Sequence, residues 1–199
     1  MDSINVIWIA KIDQNGDIIW QKKHEWPLPI RIHSINISID GGYIMVGSLR
    51  ISYDPNEYRI IVIKIDELGN VMWHNTFDIN DGSPWDVLSV TSGGYLIGGK
   101  NECGGLCVNK SMLIKLGNNE GVIWAKAYDG GIIKSIAESP DGSFILAGQT
   151  RFSKPYSAWI TKVDSTGSIL WQKEYSSIIK EAIFYLEVAS DGYIACGET

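Results

Sequence analysis

The sequence predicts an all-β fold made of four copies of a two-hairpin unit, and three observations carry that prediction. First, a Lys nine positions before a Trp returns four times at intervals of about 50 residues, as Lys11 to Trp20, Lys64 to Trp73, Lys115 to Trp124 and Lys162 to Trp171. Second, each copy has a companion motif with an aromatic four residues before a Gly: Asp40-Gly-Gly-Tyr43 to Gly47, Ser92-Gly-Gly-Tyr95 to Gly99, Asp141-Gly-Ser-Phe144 to Gly148, and Asp191-Gly-Tyr193 to Gly197. Third, 45% hydrophobic residues with 21 Gly and 8 Trp mark an ordered, β-rich chain.

Each half of the unit has its own local logic. Trp159 to Val163 alternates in character as a strand does, Asp164-Ser-Thr-Gly167 is a turn with Gly where positive φ is wanted, and residues 168–173 return. The companion motif is a second hairpin around its own Gly turn. Two hairpins give four antiparallel strands per repeat, which is the content of one blade of a β-propeller, and four repeats span nearly all of the 199 residues. The expectation is one domain, 1–199, of four blades. Trp20, Trp73, Trp124 and Trp171 are placed to fill the gaps between neighbouring blades.

The chain opens with an outer hairpin, residues 4–22, and closes with an inner one, residues 184–198. Paired with each other, they would complete a fourth blade and close the ring without free edges. The alternatives are an open half-ring that pairs with another copy, forming a homo-oligomer, or a piece of a longer propeller. In the third copy Gly117 replaces Asp and Gly121 falls one place late, which predicts a turn of another length or type.

Bulk properties narrow the function. A net charge of −6 and a pI near 5.0 argue against a nucleic-acid partner, which needs a concentrated basic face. No apolar run approaches the roughly 20 residues of a membrane-spanning helix, and no signal segment is visible. Three cysteines are too few for a disulfide scaffold. Cys196 reads as a buried small hydrophobe, whereas Cys103 and Cys107 share one loop as a local disulfide, half a metal site or free thiols. The reading assigns no catalytic residue, metal or cofactor. His24 and His33 read as structural, and Asp13-Gln-Asn-Gly-Asp17 as a hairpin turn and not a calcium loop.

The Lys-x-Asp-x-x-Gly-x-x-x-Trp strings followed by Asp-Gly-Gly-Tyr-Ile-x-x-Gly resemble the propeller repeats of prokaryotic surface and secreted proteins. In pattern these are related to the tryptophan-docking repeats of quinoprotein-like propellers. The resemblance covers nearly the whole chain and implies the fold, with a cell-surface or secreted setting; it implies little about function. The quinone cofactor and calcium site of quinoprotein dehydrogenases do not carry over, because no adjacent-cysteine pair or calcium-type cluster is present.

Turns within hairpins are short, whereas connections between hairpins (22–33, 48–59, 76–86, 100–111, 128–134, 149–158 and 175–181) read as long, variable loops sharing one face. Loops on a rigid scaffold are where binding resides. Trp26, Tyr53, Tyr58, Arg59, Asp81, Trp85, Asp86 and Tyr156 are the candidate ligand-binding residues there, since aromatics beside hydrogen-bonding groups suit a protein partner or a glycan. A non-catalytic binding or scaffold propeller with a protein partner is the expected function. A lectin-like propeller is the alternative, and a glycoside-acting hydrolase using Asp81 and Asp86 a third reading.

Overall fold

A computed structural model describes residues 5–53, 56–78, 82–101, 110–129, 131–150, 156–176 and 180–199. Those residues form sixteen antiparallel strands and no helix. An N-terminal hairpin joins β1 (Asn5–Ile12) to β2 (Ile18–Trp26). Three four-stranded sheets follow. The first holds β3 (Ile30–Ile37), β4 (Tyr43–Tyr53), β5 (Asn56–Ile65) and β6 (Val71–Phe77). The second holds β7 (Ser83–Ser89), β8 (Tyr95–Asn101), β9 (Lys110–Leu116) and β10 (Val122–Tyr128). The third holds β11 (Ile132–Glu138), β12 (Phe144–Gln149), β13 (Ala158–Val163) and β14 (Ile169–Tyr175). A C-terminal hairpin, β15 (Ala182–Ala189) and β16 (Gly192–Glu198), completes the chain. Within each four-stranded sheet, neighbours in sequence are neighbours in the ladder.

The two terminal hairpins remain separate two-stranded sheets, so the expected fourth four-stranded sheet joining the chain ends is not formed. Each hairpin finds its packing on the sheet next to it in sequence. Ile7, Ile9, Trp20 and Trp26 pack on Met45, Ile61 and Ile63, and Ile183, Leu186 and Tyr193 pack on Ile145 and Ala147.

Four such interfaces hold the stack, and each takes one of the repeated tryptophans: Trp20, Trp73, Trp124 and Trp171. The inner strands are buried on both faces, which explains their continuous apolar runs. In β4, Ile44 and Val46 face the second sheet while Met45 and Leu49 face the N-terminal hairpin. A register shift immediately before each Trp skips Ile19, Met72, Ile123 and Leu170, and such a bulge re-aims the side chain that follows it. The aimed indoles reach the next repeat. Trp20 donates its Nε1–H to the Glu67 carbonyl at 3.0 Å and lies over Gly69.

Beneath the tryptophans runs a repeated polar lock. Lys64, only 2% exposed, donates to Asp40 Oδ1 at 2.6 Å and to the Gly41 carbonyl, and the Tyr95 hydroxyl of the next sheet meets Ser38 Oγ at 3.0 Å and Asp40 at 3.3 Å. The third sheet repeats this, with Lys162 donating to Asp141 at 2.8 Å and Ser139 Oγ meeting the Tyr193 hydroxyl at 3.1 Å. In the second sheet Val90, Ser92 and Phe144 replace the Ser, Asp and Tyr, and Lys115 donates to the Gly93 carbonyl at 2.6 Å.

Three local expectations change. The third Lys-to-Trp turn has the same length and bonding as the others, Gly117 N to Gly121 O and Glu120 N to Gly117 O, because Glu120 itself adopts the left-handed conformation with φ 67° where the other copies place Gly. Two of the connections expected as long loops are largely strand: β2 and β3 are separated only by residues 27–29, and β4 and β5 only by 54–55. Cys196 is exposed and free, since β16 has only β15 beside it. Cys103 and Cys107 lie outside the described residues.

Candidate functional site

The first strand of every inner hairpin carries a bulge at the same point. Register shifts skip His33 in β3, Trp85 in β7, Lys134 in β11 and Phe184 in β15. Each bulge lies against the Gly that ends the companion motif. A methyl at Gly47, Gly99, Gly148 or Gly197 would overlap the carbonyl oxygen of Arg31, Ser83, Ile132 or Ala182, which is why that position is Gly in all four copies.

The four bulged residues converge on a cavity of about 270 Å³. The His33 and Trp85 rings stand 6.3 Å apart, and Lys134 Nζ lies 5.6 Å from the Trp85 ring centroid and 3.6 Å from that of Phe184. Burial pulls the Lys134 pKa below the usual lysine value. Burial, reinforced by the Arg31 charge, lowers His33 and keeps its imidazole neutral near pH 7.

The residue after each bulge latches successive sheets together. Ser34 Oγ donates to Asp86 Oδ1 at 2.8 Å, Ile136 N donates to Asp86 Oδ2 at 2.9 Å, and Leu186 N donates to Ser135 Oγ at 3.1 Å. Burial pushes the Asp86 carboxyl above the ordinary range, against the hydrogen bonds from Ile136, Ser34 and Val87. Asp86 is therefore a fastener between three inner strands.

A second cleft of about 370 Å³ is lined by residues of β3, β4, β5 and β7, and His33 lines both. Arg31, Ser48, Arg50, Tyr58 and Ser83 face it. His33 Nε2 is 3.1 Å from Ser48 Oγ. The Arg50 guanidinium lies 3.9 Å from the Tyr53 ring centroid and 5.9 Å from that of Tyr58, a stacking that fixes the cation by its flat face. Neither Arg31 nor Arg50 forms an ion pair among the described residues, and no described carboxylate lines the cleft.

The residues expected at the binding face are thus divided. Tyr58 lines the cleft, Tyr53 backs it through Arg50, and Trp85 and Asp86 line the cavity where the bulged residues meet. Trp26 is half-buried and packs edge-on against His74 with ring centroids 4.9 Å apart, so it belongs to an interface between sheets. Arg59 pairs with Asp78 at 3.3 Å, and the half-buried Tyr156 accepts the Glu181 N–H through its carbonyl at 2.8 Å; neither is among the residues that line these two spaces. Asp81 lies outside the described residues.

Arg31, Arg50 and Lys134 were not singled out as site residues, although the bulges leave a readable trace. Apolar pairs three apart (Ile32 and Ile35, Ile133 and Ile136, Ile183 and Leu186) enclose two residues where strict alternation would leave one. Among the described residues no group of three or more His, Cys, Asp or Glu could hold a metal ion. Comparison with protein-family models and with curated proteins finds no match to this chain.

Proposed function

We propose that the chain is a non-catalytic binding propeller of the tryptophan-docking, quinoprotein-like kind. In this reading the three four-stranded sheets are blades, the terminal hairpins are half-blades, and the cleft at the inner-strand entrances takes an acidic segment of a protein partner. One observation carries it. On a chain of net charge −6, two guanidinium groups without a carboxylate partner among the described residues converge with Tyr58 and the neutral His33 on one concave space. Arg50, held by its stacking on Tyr53 and by its Nε–H bond to the Ser52 carbonyl at 3.3 Å, and Arg31 beside it have the fork geometry suited to bidentate recognition of carboxylates. The binding reading is preferred to a hydrolase reading because Asp86 accepts hydrogen bonds from Ser34 and the Ile136 N–H.

Fluorescence anisotropy with a fluorescein-labelled decapeptide of alternating Glu and Gly tests the proposal. The expected result is saturable binding that weakens with salt and falls at least tenfold in the Arg31→Ala/Arg50→Ala variant, with thermal melting unchanged. Equal titration curves for the wild-type chain and the variant, or equal binding of a peptide with Lys in place of Glu, would reject it.

A further inference from the structure

The two terminal hairpins expose positions that every complete sheet buries. Ile194 corresponds to Ile44, Leu96 and Ile145, each 0% exposed, yet is itself 66% exposed. Ile12 corresponds to Ile65, Leu116 and Val163, again 0%, and is 61% exposed; Trp8 corresponds to the fully buried Trp159 and is 58% exposed. Both hairpins also carry a free ladder edge, since β16 pairs only with β15 and β1 only with β2. These are the strands that correspond to β12 and β13, which pair with Phe144 opposite Val163 and Gly148 opposite Trp159. The same register sets Tyr193 opposite Ile12, Ile194 opposite Lys11 and Gly197 opposite Trp8.

The polar lock is split in the same way. Lys11 Nζ lies 5.9 Å from the Tyr43 ring centroid, as Lys64 lies 5.9 Å from that of Tyr95, but Lys11 forms no ion pair among the described residues. Asp191, the counterpart of Asp40 and Asp141, is exposed and makes no ion pair among the described residues. One end of the chain thus holds the Lys and Tyr of a lock, and the other end holds its Asp. Ala189 stands in place of the Ser, leaving Asp191 to serve both Lys11 and the Tyr43 hydroxyl.

We infer that β16 of one copy adds to β1 of a second copy, with Asp191 meeting Lys11 across the junction. In the structure the two edges of one chain are not joined, and a second copy carries both complements. The contact is head to tail, so two reciprocal junctions close a ring of eight four-stranded sheets, whereas a rotation that failed to close would give filaments. Backbone pairing supplies affinity, and the Lys–Asp pair, closed over Trp8 and Ile194, supplies register.

Sedimentation-equilibrium and cross-linking measurements on the full chain test this. The wild-type chain should sediment at twice its 22.1 kDa mass. Lys11→Asp should weaken association at least tenfold, and the swapped Lys11→Asp/Asp191→Lys chain should recover it. Independently, Ala10→Cys and Ala195→Cys, which the register sets opposite one another, are introduced with Cys103, Cys107 and Cys196 changed to Ser. On oxidation the chain should run at twice its mass on a non-reducing gel. A monomer that cross-links within itself, a monomer that does not cross-link, or a dimer indifferent to the charge changes would each overturn the inference.

Discussion

Replacing Gly69 with Ala, beside the same change at Gly16, isolates the packing term in the tryptophan grammar. Both glycines occupy the left-handed position of the same hairpin turn, with φ of 79° and 90°. An Ala there costs about 1–2 kcal/mol in backbone strain, offset by roughly 0.5–1 kcal/mol from the lower entropy of the unfolded chain. At Gly16 nothing in the same chain lies within 4 Å of the added methyl, so in the non-associating Lys11→Asp background the net loss should be about 1 kcal/mol. At Gly69 the methyl would stand 2.7 Å from the Trp20 ring. Trp20 must then move, which adds about 1–3 kcal/mol for overpacking and about 1 kcal/mol for its bond to the Glu67 carbonyl. Gly69→Ala should therefore cost about 3–5 kcal/mol, against about 1 for Gly16→Ala, by the same terms. Urea unfolding with an unchanged slope measures both. Equal losses, or a Gly69→Ala loss that persists undiminished in a Trp20→Ala background, would refute the claim that the indole is what excludes a side chain from this turn.

Two further predictions concern buried and paired carboxylates. Asp86→Ala leaves the Ile136 N–H without its acceptor and should cost about 2–3 kcal/mol, or roughly 4–12 °C in melting temperature, while a residue with only surface contacts would move it far less. The pH dependence has opposite signs at different carboxyls. At Asp40 burial raises the pKa, but the Lys64 and Ser38 hydrogen bonds and the Lys64 charge outweigh it, and at Asp141 the Lys162 and Ser143 bonds lower it outright. Their contribution is present above the ordinary carboxylate value near 3.9 and is lost as pH falls through the folded-state values, so urea midpoints should drop below about pH 4. Asp86, raised by burial, contributes most when protonated and loses that contribution as pH rises through its raised value. Asp40→Asn/Asp141→Asn should flatten the acid limb, and an unchanged limb would remove the lock from the account.

The repeat was legible because the strongest constraints act at fixed spacing. A Trp that crosses to the neighbouring sheet recurs in all four copies, and a Gly beneath it (Gly69, Gly167) and a Lys–Asp pair (Lys64 with Asp40, Lys162 with Asp141) recur in two each; each leaves a residue type that little else can replace. The third turn was misread because spacing records where Gly stands, not which residue adopts positive φ, and Glu120 does so while accepting a hydrogen bond from Asn75 at 3.1 Å. The site was less legible for a similar reason. Arg31 and Arg50 sit at ordinary strand positions, and what sets them apart is a pair of tyrosines brought alongside Arg50 by the β4–β5 hairpin. Trp26 looked like a ligand platform because it falls outside the repeated positions, yet the edge of His74 occupies it.

The second sheet shows that the lock behaves as one unit. With Ser92 in place of the Asp, a Ser at position 90 and a Tyr at 144 would each bring a hydroxyl toward a site without its carboxylate, and buried polar groups without partners cost about 1–3 kcal/mol each. Those positions hold Val90 and Phe144 instead, and the two pack in one apolar cluster. Only the Lys is kept, because its ammonium still reaches a backbone carbonyl, at Gly93, and burial holds its pKa below the usual value. Three residues from two neighbouring sheets thus change character together, which is what direct contact across a sheet interface demands. Lys11 and Asp191 on the terminal hairpins, with Tyr43 of the first four-stranded sheet, keep the polar residue types, while Ala189 replaces the Ser. Tyr43 is accounted for within the chain by its edge contact with Trp20, 6.4 Å between centroids, whereas Trp8, Ile12 and Ile194 stand exposed at positions that every complete sheet buries, which is what a missing neighbouring strand leaves.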